Sequence, residues 1–189
     1  MANVFWTGKL SFFAKLLVNC NCLLAWILGN TKNHISMKQR VRLGYNAEFT
    51  DDVYDYDNKG FAHYNRAASY LLEKIDVRDK SVLDVGCGSG ILSFILLKKK
   101  AYRVIAGDIS NRMLCVASSK LNKQGAIYNN QIKYFGLDSE YLPFRSESFD
   151  ISTSGLVMGL VPNQAQMINE MVRVVKSGGG AACAFYTWA

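Results

Sequence analysis

The chain is poor in the residues that build metal and disulfide frameworks. It has two histidines, His34 and His63, and five cysteines, Cys20, Cys22, Cys87, Cys115 and Cys183. An odd cysteine count without paired spacing argues against a disulfide scaffold, and so few histidines argue against a zinc site. Free thiols in a reducing compartment fit best. Carboxylates are missing from the first 47 residues, where Lys9, Lys15, Lys32, Lys38, Arg40 and Arg42 supply six of the seven net positive charges. The rest of the chain is near neutral, so a nucleic-acid surface on the main body is not expected. Internal repeats and low-complexity tracts are also absent. With 189 residues, 50% hydrophobic and 20% charged, the chain is globular rather than disordered and long enough for a real core.

Residues 1–36 differ in character from the remainder of the chain. Leu10 to Leu28 is mostly apolar and 19 residues long, near the length that spans a bilayer. Lys15, Asn19 and Asn21 interrupt it, and a central lysine costs about 3 kcal/mol on insertion. At helical spacing Ser11, Lys15, Asn19, Cys22 and Trp26 share one face, while Phe13, Leu16, Leu17, Leu24 and Leu28 share the other. Three readings stay open: a helix lying in a membrane interface, a spanning anchor, or a packed or idle extension ahead of a start at Met37. The division expected is an apolar, basic extension over 1–36 and one domain over 37–189.

Ser81-Val82-Leu83-Asp84-Val85 is an apolar strand that carries a carboxylate. It runs into Gly86, Gly88 and Gly90, with Cys87 and Ser89 between them, and then into the apolar run Ile91 to Leu97. Glycine lets a backbone take positive φ cheaply and approach a ligand closely. A helix N-terminus behind it offers unpaired N–H groups to an anion. A second strand, Arg103 to Asp108, also ends in a carboxylate, about 20 residues past the glycines, where dinucleotide folds bind ribose hydroxyls. The spacing here is G-x-G-x-G, one residue short of the dinucleotide pattern, so a pyrophosphate is not the natural guest.

Strand and helix then alternate. Strands are expected at 81–85, 103–107, 131–135, 149–154 and 181–187, and helices at 67–75, 90–99, 111–123 and 163–175. Ser110 is a natural N-cap for the helix at 111, and Asn163 with Gln166 forms a capping-box-like start for the last one. Met167, Ile168, Met171, Val172 and Val175 recur at helical spacing and read as a core stripe. Such alternation makes a parallel sheet covered on both faces, with its ligand crevice at the carboxyl ends of the strands.

Four segments now stand together: the glycine turn, Gly107-Asp108-Ile109-Ser110, Asp138-Ser139-Glu140-Tyr141-Leu142-Pro143-Phe144, and Ser148-Phe149-Asp150. Over roughly residues 40–189 the combination resembles the class I S-adenosylmethionine-dependent methyltransferases. Within them it is most similar to the type 11 methyltransferase domains of the ubiquinone/menaquinone C-methyltransferase branch. The resemblance implies an α/β, Rossmann-like doubly wound parallel sheet of five strands in order 3-2-1-4-5. The usual C-terminal antiparallel strands would be lacking. It implies S-adenosyl-L-methionine as cofactor, with Gly86, Cys87, Gly88 and Gly90 around its methionine half and Asp84 at its ammonium. Asp108 would take the ribose hydroxyls, Ile109 would pack on adenine, and Asp138 with the Ser139 backbone would meet the adenine amino group. Three carboxylates around a bare turn suit a ligand with a sulfonium, an ammonium and no phosphate.

Departures from the family pattern are as telling. Gly159-Leu160 stands where relatives often carry His-His, so no catalytic residue is named; His63 and Tyr64 are the remaining candidates, and a loop histidine is more often only that. Tyr45 and Tyr54 resemble a loosened version of an N-terminal element that closes over the cofactor. Asp150, at a strand start, reads as a turn-fixing residue outside the site. The last strand, rich in apolar residues, would be an uncovered edge, so a fragment or a chain with a partner at that edge is expected. The function implied is methyl transfer to a small acceptor, with a lipophilic one as an option, in the cytoplasm and with membrane-surface contact through 1–36 as a further option. The alternative is a cofactor-binding but inactive or truncated homologue acting by association. A nicotinamide oxidoreductase is disfavoured by the glycine spacing.

Overall fold

The computed structural model describes residues 34–46, 62–123, 128 and 130–185. The segment Leu10 to Leu28 and Tyr54 therefore lie outside the described residues. No helix among those described is long and apolar enough to cross a membrane.

Five strands form one sheet in the order β3-β2-β1-β4-β5, and every neighbouring pair is parallel. They are β1 (Ser81–Val85), β2 (Arg103–Asp108), β3 (Ile132–Gly136), β4 (Phe149–Gly155) and β5 (Val175–Ala184). The helices are α1 (His34–Tyr45), α2 (Ala62–Glu73), α3 (Ile91–Lys98), α4 (Asn111–Lys123) and α5 (Gln164–Arg173), with a 3-10 turn at Met158–Leu160. Central β1 is buried along its whole length, as a strand covered on both faces must be. Its alternate residues divide the core. Val82 joins Leu71, Leu92, Leu96 and Val104 on the side of α2 and α3. Leu83 and Val85 join Ile105, Met167 and Met171 on the side of α5.

The caps expected from sequence are present. The Met113 N–H donates to Ser110 Oγ at 3.2 Å, and Gln166 N–H donates to Asn163 Oδ1 at 3.0 Å. Of the core stripe on α5, Met167 and Met171 are buried, but Ile168 and Val172 are exposed. Asp150 works at the amino ends of the strands, far from the crevice. Its carboxylate accepts from Ser81 N at 2.8 Å and from Lys176 Nζ at 2.8 Å.

Several boundaries differ from expectation, and the helix expected at 163–175 ends at Arg173. The helix expected at 67–75 is Ala62–Glu73, so it starts within the aromatic stretch. A further helix, α1, occupies His34–Tyr45 and crosses the expected division at residue 36. The last strand begins at Val175, not 181, because Val175 pairs with Phe149 before the chain bulges out and rejoins the ladder at Ile151–Gly180. Gly178 turns that bulge at φ +81. A Cβ on Gly179 would stand 2.3 Å from the Asp150 carbonyl.

Candidate functional site

At the carboxyl ends of β1, β2 and β4 the chain encloses a cleft of about 1120 Å³, its solvent-open mouth included. The glycine turn forms its floor, and its three glycines serve different needs. All have positive φ: 70° at Gly86, 52° at Gly88 and 85° at Gly90. A Cβ on Gly86 would meet Val157 Cγ2 at 2.3 Å, so this glycine lets the β4 loop close over the turn. A Cβ on Gly90 would come within 3.1 Å of Ala117 Cβ, so that glycine makes room for α4. A Cβ on Gly88 would meet nothing within 4 Å. Here the bare backbone faces the open cleft.

Asp108 ties the turn to the next helix. Gly88 N donates to Asp108 Oδ2 at 2.9 Å and Ser110 N to Oδ1 at 2.9 Å. Burial raises its pKa despite these backbone N–H groups. Ile109 N–H also bonds to this carboxylate, which still has lone-pair capacity for a further donor. The capping role and a ligand role are thus compatible in one side chain.

Asp84 is fully buried. Its Oδ2 accepts from Ser93 Oγ at 2.5 Å, while Oδ1 finds no partner among the described residues. Burial raises its pKa to about 7, the Ser93 and Thr153 hydroxyls oppose that rise, and the neighbouring Asp108 charge adds to it. A buried carboxylate oxygen without a donor is costly, and Asp84 is among the residues that line the cleft. Cys87 also borders it, but burial and the two nearby carboxylates push its thiol pKa well up, so it is a wall and not a nucleophile.

The far end of the cleft is held by ions. Asp138 Oδ1 accepts from Glu140 N at 3.0 Å. Its Oδ2 accepts from Lys38 Nζ at 2.6 Å, and the same ammonium reaches Glu140 Oε2 at 2.6 Å. Burial lowers the Lys38 pKa, but the bonds and charges of the two carboxylates outweigh it, and the net change is upward. Lys38, Val41 and Tyr45 share one face of α1 and close the cleft from above. The end of α1 is pinned to α4. Asn46 Oδ1 accepts from Arg112 N at 3.1 Å and lies 2.7 Å from Ser110 Oγ, which also stands 3.1 Å from the Tyr45 carbonyl.

The cleft therefore brings together Asp84, Gly86, Cys87, Gly88, Asp108, Ile109, Asp138 and Ser139, eight of the nine residues expected to bind cofactor. Gly90 is not on its wall. The backbone beyond β4 adds Leu156, Leu160, Val161 and Pro162, facing Tyr64, Ala67 and Ala68 of α2. Leu156 takes φ 65°, a conformation uncommon for a side chain of its size. Lys38, Glu140 and Ser93 are not among the residues expected from sequence. Ser93 has a readable signal, since it is the polar residue on the buried face one turn past the glycines.

A family model described as "Methyltransferase domain" matches residues 83–183. The ubiquinone biosynthesis O-methyltransferase of Coxiella burnetii is 34% identical over 111 residues, 58% of this chain and 45% of that protein. The ubiquinone/menaquinone biosynthesis C-methyltransferase UbiE of Legionella pneumophila is 36% identical over 113 residues, 58% of this chain and 44% of that protein. The chain thus spans less than half the length of these relatives. Among solved structures, a SAM-dependent methyltransferase from Aquifex aeolicus shares the fold, with a TM-score of 0.51 at 19% identity, covering 77% of this chain and 69% of that one.

Proposed function

The chain belongs to the methyltransferase domain family, whose cofactor is S-adenosylmethionine, and from that premise we propose that it transfers the cofactor's methyl group to a small apolar acceptor. The observation that carries the site assignment is the buried Asp84 Oδ1, which has no partner among the described residues, in the same cleft as the bare backbone of Gly88. An ammonium donor satisfies that oxygen, and the methionine chain fits where a Cβ would otherwise stand. Asp108 receives the ribose hydroxyls through its spare lone pairs. Ile109 covers one face of adenine, and Asp138 with the Ser139 backbone meets its amino edge. The cofactor, when bound, supplies a methyl already activated by the sulfonium.

What the protein adds is alignment and exclusion of water. A general base is required only where the acceptor must lose a proton. Ala67, Ala68, Leu156, Leu160 and Val161 make this wall mostly apolar, with the Tyr64 phenol beside them. This supports an apolar acceptor. Titration calorimetry of the full chain with S-adenosylhomocysteine is the test. Binding is expected, and Asp108→Ala should weaken it at least about tenfold through loss of a charged acceptor. No binding by folded protein would refute the assignment. Binding without transfer to any apolar acceptor would favour a module that acts by association, a reading supported by the place of β5 at the sheet edge among the described residues and by the exposed Ile168 and Val172 on α5.

A further inference from the structure

We propose that Lys38 is a positioning residue that sets the cleft's preference for adenine by orienting the Asp138 carboxylate. The inference rests on Asp138 meeting the adenine amino group, as proposed above. The geometry is a three-membered ion cluster drawn from distant parts of the chain. Lys38 Nζ lies 2.6 Å from both Asp138 Oδ2 and Glu140 Oε2, and 4.8 Å above the centre of the Tyr141 ring. The three side chains retain 18%, 31% and 5% of their exposure respectively, so water screens the cluster only in part. Glu140 is fixed at its other oxygen, where Oε1 accepts from Asn163 N at 2.8 Å. The ammonium is thereby held against a carboxylate that cannot move away, and Asp138 is held against the ammonium.

Among the described residues Asp138 otherwise has one side-chain anchor, the Glu140 N–H on its Oδ1. Without Lys38 its carboxylate would be free to rotate and would face Glu140 with no charge between them. A rotated Asp138 carboxylate no longer accepts reliably from an amino group. The base at this end of the cleft is therefore read by the pair Lys38–Asp138. Lys38 works through Asp138 and not by contact with the reacting atoms.

The test compares S-adenosylhomocysteine with S-inosylhomocysteine, in which a ring carbonyl replaces the amino group. Calorimetry at neutral pH would measure both ligands on the full wild-type chain, Lys38→Met, Lys38→Arg and Asp138→Asn. The wild type is expected to prefer the adenosyl ligand. Lys38→Met should lower that preference about tenfold, the change expected when a hydrogen bond to a charged acceptor weakens. The loss should fall on the adenosyl ligand, and Lys38→Arg should restore most of it. If Lys38→Met weakens both ligands equally, Lys38 only holds α1 in place and the proposal is wrong. If it changes neither, the proposal is wrong as well. Asp138→Asn separates the two levels: retained preference there overturns the reading of Asp138 itself, and lost preference there with an unchanged Lys38→Met overturns Lys38 alone. Should Lys38→Met fold poorly, Lys38→Gln supplies the same comparison, with thermal melts establishing which variant is intact.

Discussion

Replacing Asp84 by Asn should change stability and cofactor binding in opposite directions. Asp84 sits wholly inside the protein, and burial raises its pKa from 3.8 to about 7. A carboxyl raised in the folded state contributes stability that is complete below its unfolded pKa and is lost as pH rises through the folded one. Over that whole window the change is about 4 kcal/mol at 1.36 kcal/mol per pKa unit, of which roughly 2–3 kcal/mol falls between about pH 5 and pH 8. Asp84→Asn cannot titrate, and its carbonyl can still accept from Ser93. The stability difference between variant and wild type should therefore move by roughly 2–3 kcal/mol in the variant's favour between about pH 5 and pH 8. Binding should show the reverse. An ammonium on Oδ1 favours the charged carboxylate, so near neutral pH the wild type should release a fraction of a proton on binding S-adenosylhomocysteine, and its affinity should rise from about pH 5.5 to pH 7. The variant should release none and bind about 10- to 100-fold more weakly, as for a lost hydrogen bond to a charged group. The assays are denaturant melts across pH and calorimetry in buffers of different ionisation enthalpy. Parallel pH profiles for the two proteins, or equal affinity, would refute the reasoning.

Two further predictions concern the turn. Gly88→Ala places a methyl in open space, so it should fold with a cost of about 1–2 kcal/mol from its left-handed backbone yet lose cofactor affinity. Gly86→Ala drives a Cβ to 2.3 Å from Val157 and should instead lower the melting temperature sharply. Thermal melts paired with calorimetry distinguish the two, and equal behaviour would contradict the division of labour. In thiol labelling of native protein near neutral pH, buried Cys87 with its raised pKa should resist alkylation while exposed Cys115 reacts. Rapid Cys87 labelling, identified by peptide mapping, would show that the wall opens.

Much of this site is local in sequence, and that is why it could be read. The strand at Ser81, the turn at Gly86 and the carboxylates Asp84 and Asp108 lie within 28 residues, and hydrophobic runs with glycine punctuation are local signals. Asp138 is readable through its Leu-Pro-Phe context. The α1 helix is not, because its residues, HISMKQRVRLGY, show too little apolar periodicity to predict a helix. Nor is the partnership of Lys38 with Asp138, since an ion pair spanning 100 residues leaves no local trace. Lys38 reads in sequence as part of a basic excess. The early start of β5 is hidden for a different reason: Lys176 to Gly179 has loop composition, and only the pairing of Val175 with Phe149 makes it part of a strand. Gly90 belongs to the motif by spacing, but its missing side chain serves Ala117 and not the cleft.

A crystal structure of the full chain with S-adenosylhomocysteine tests the cofactor site most directly. The ligand's amino group is expected on Asp84 Oδ1, its ribose on Asp108, its adenine between Ile109 and Asp138, and its methionine chain over Gly88. A ligand seated elsewhere, or in the cleft with Asp84 Oδ1 still unpaired, would contradict this assignment.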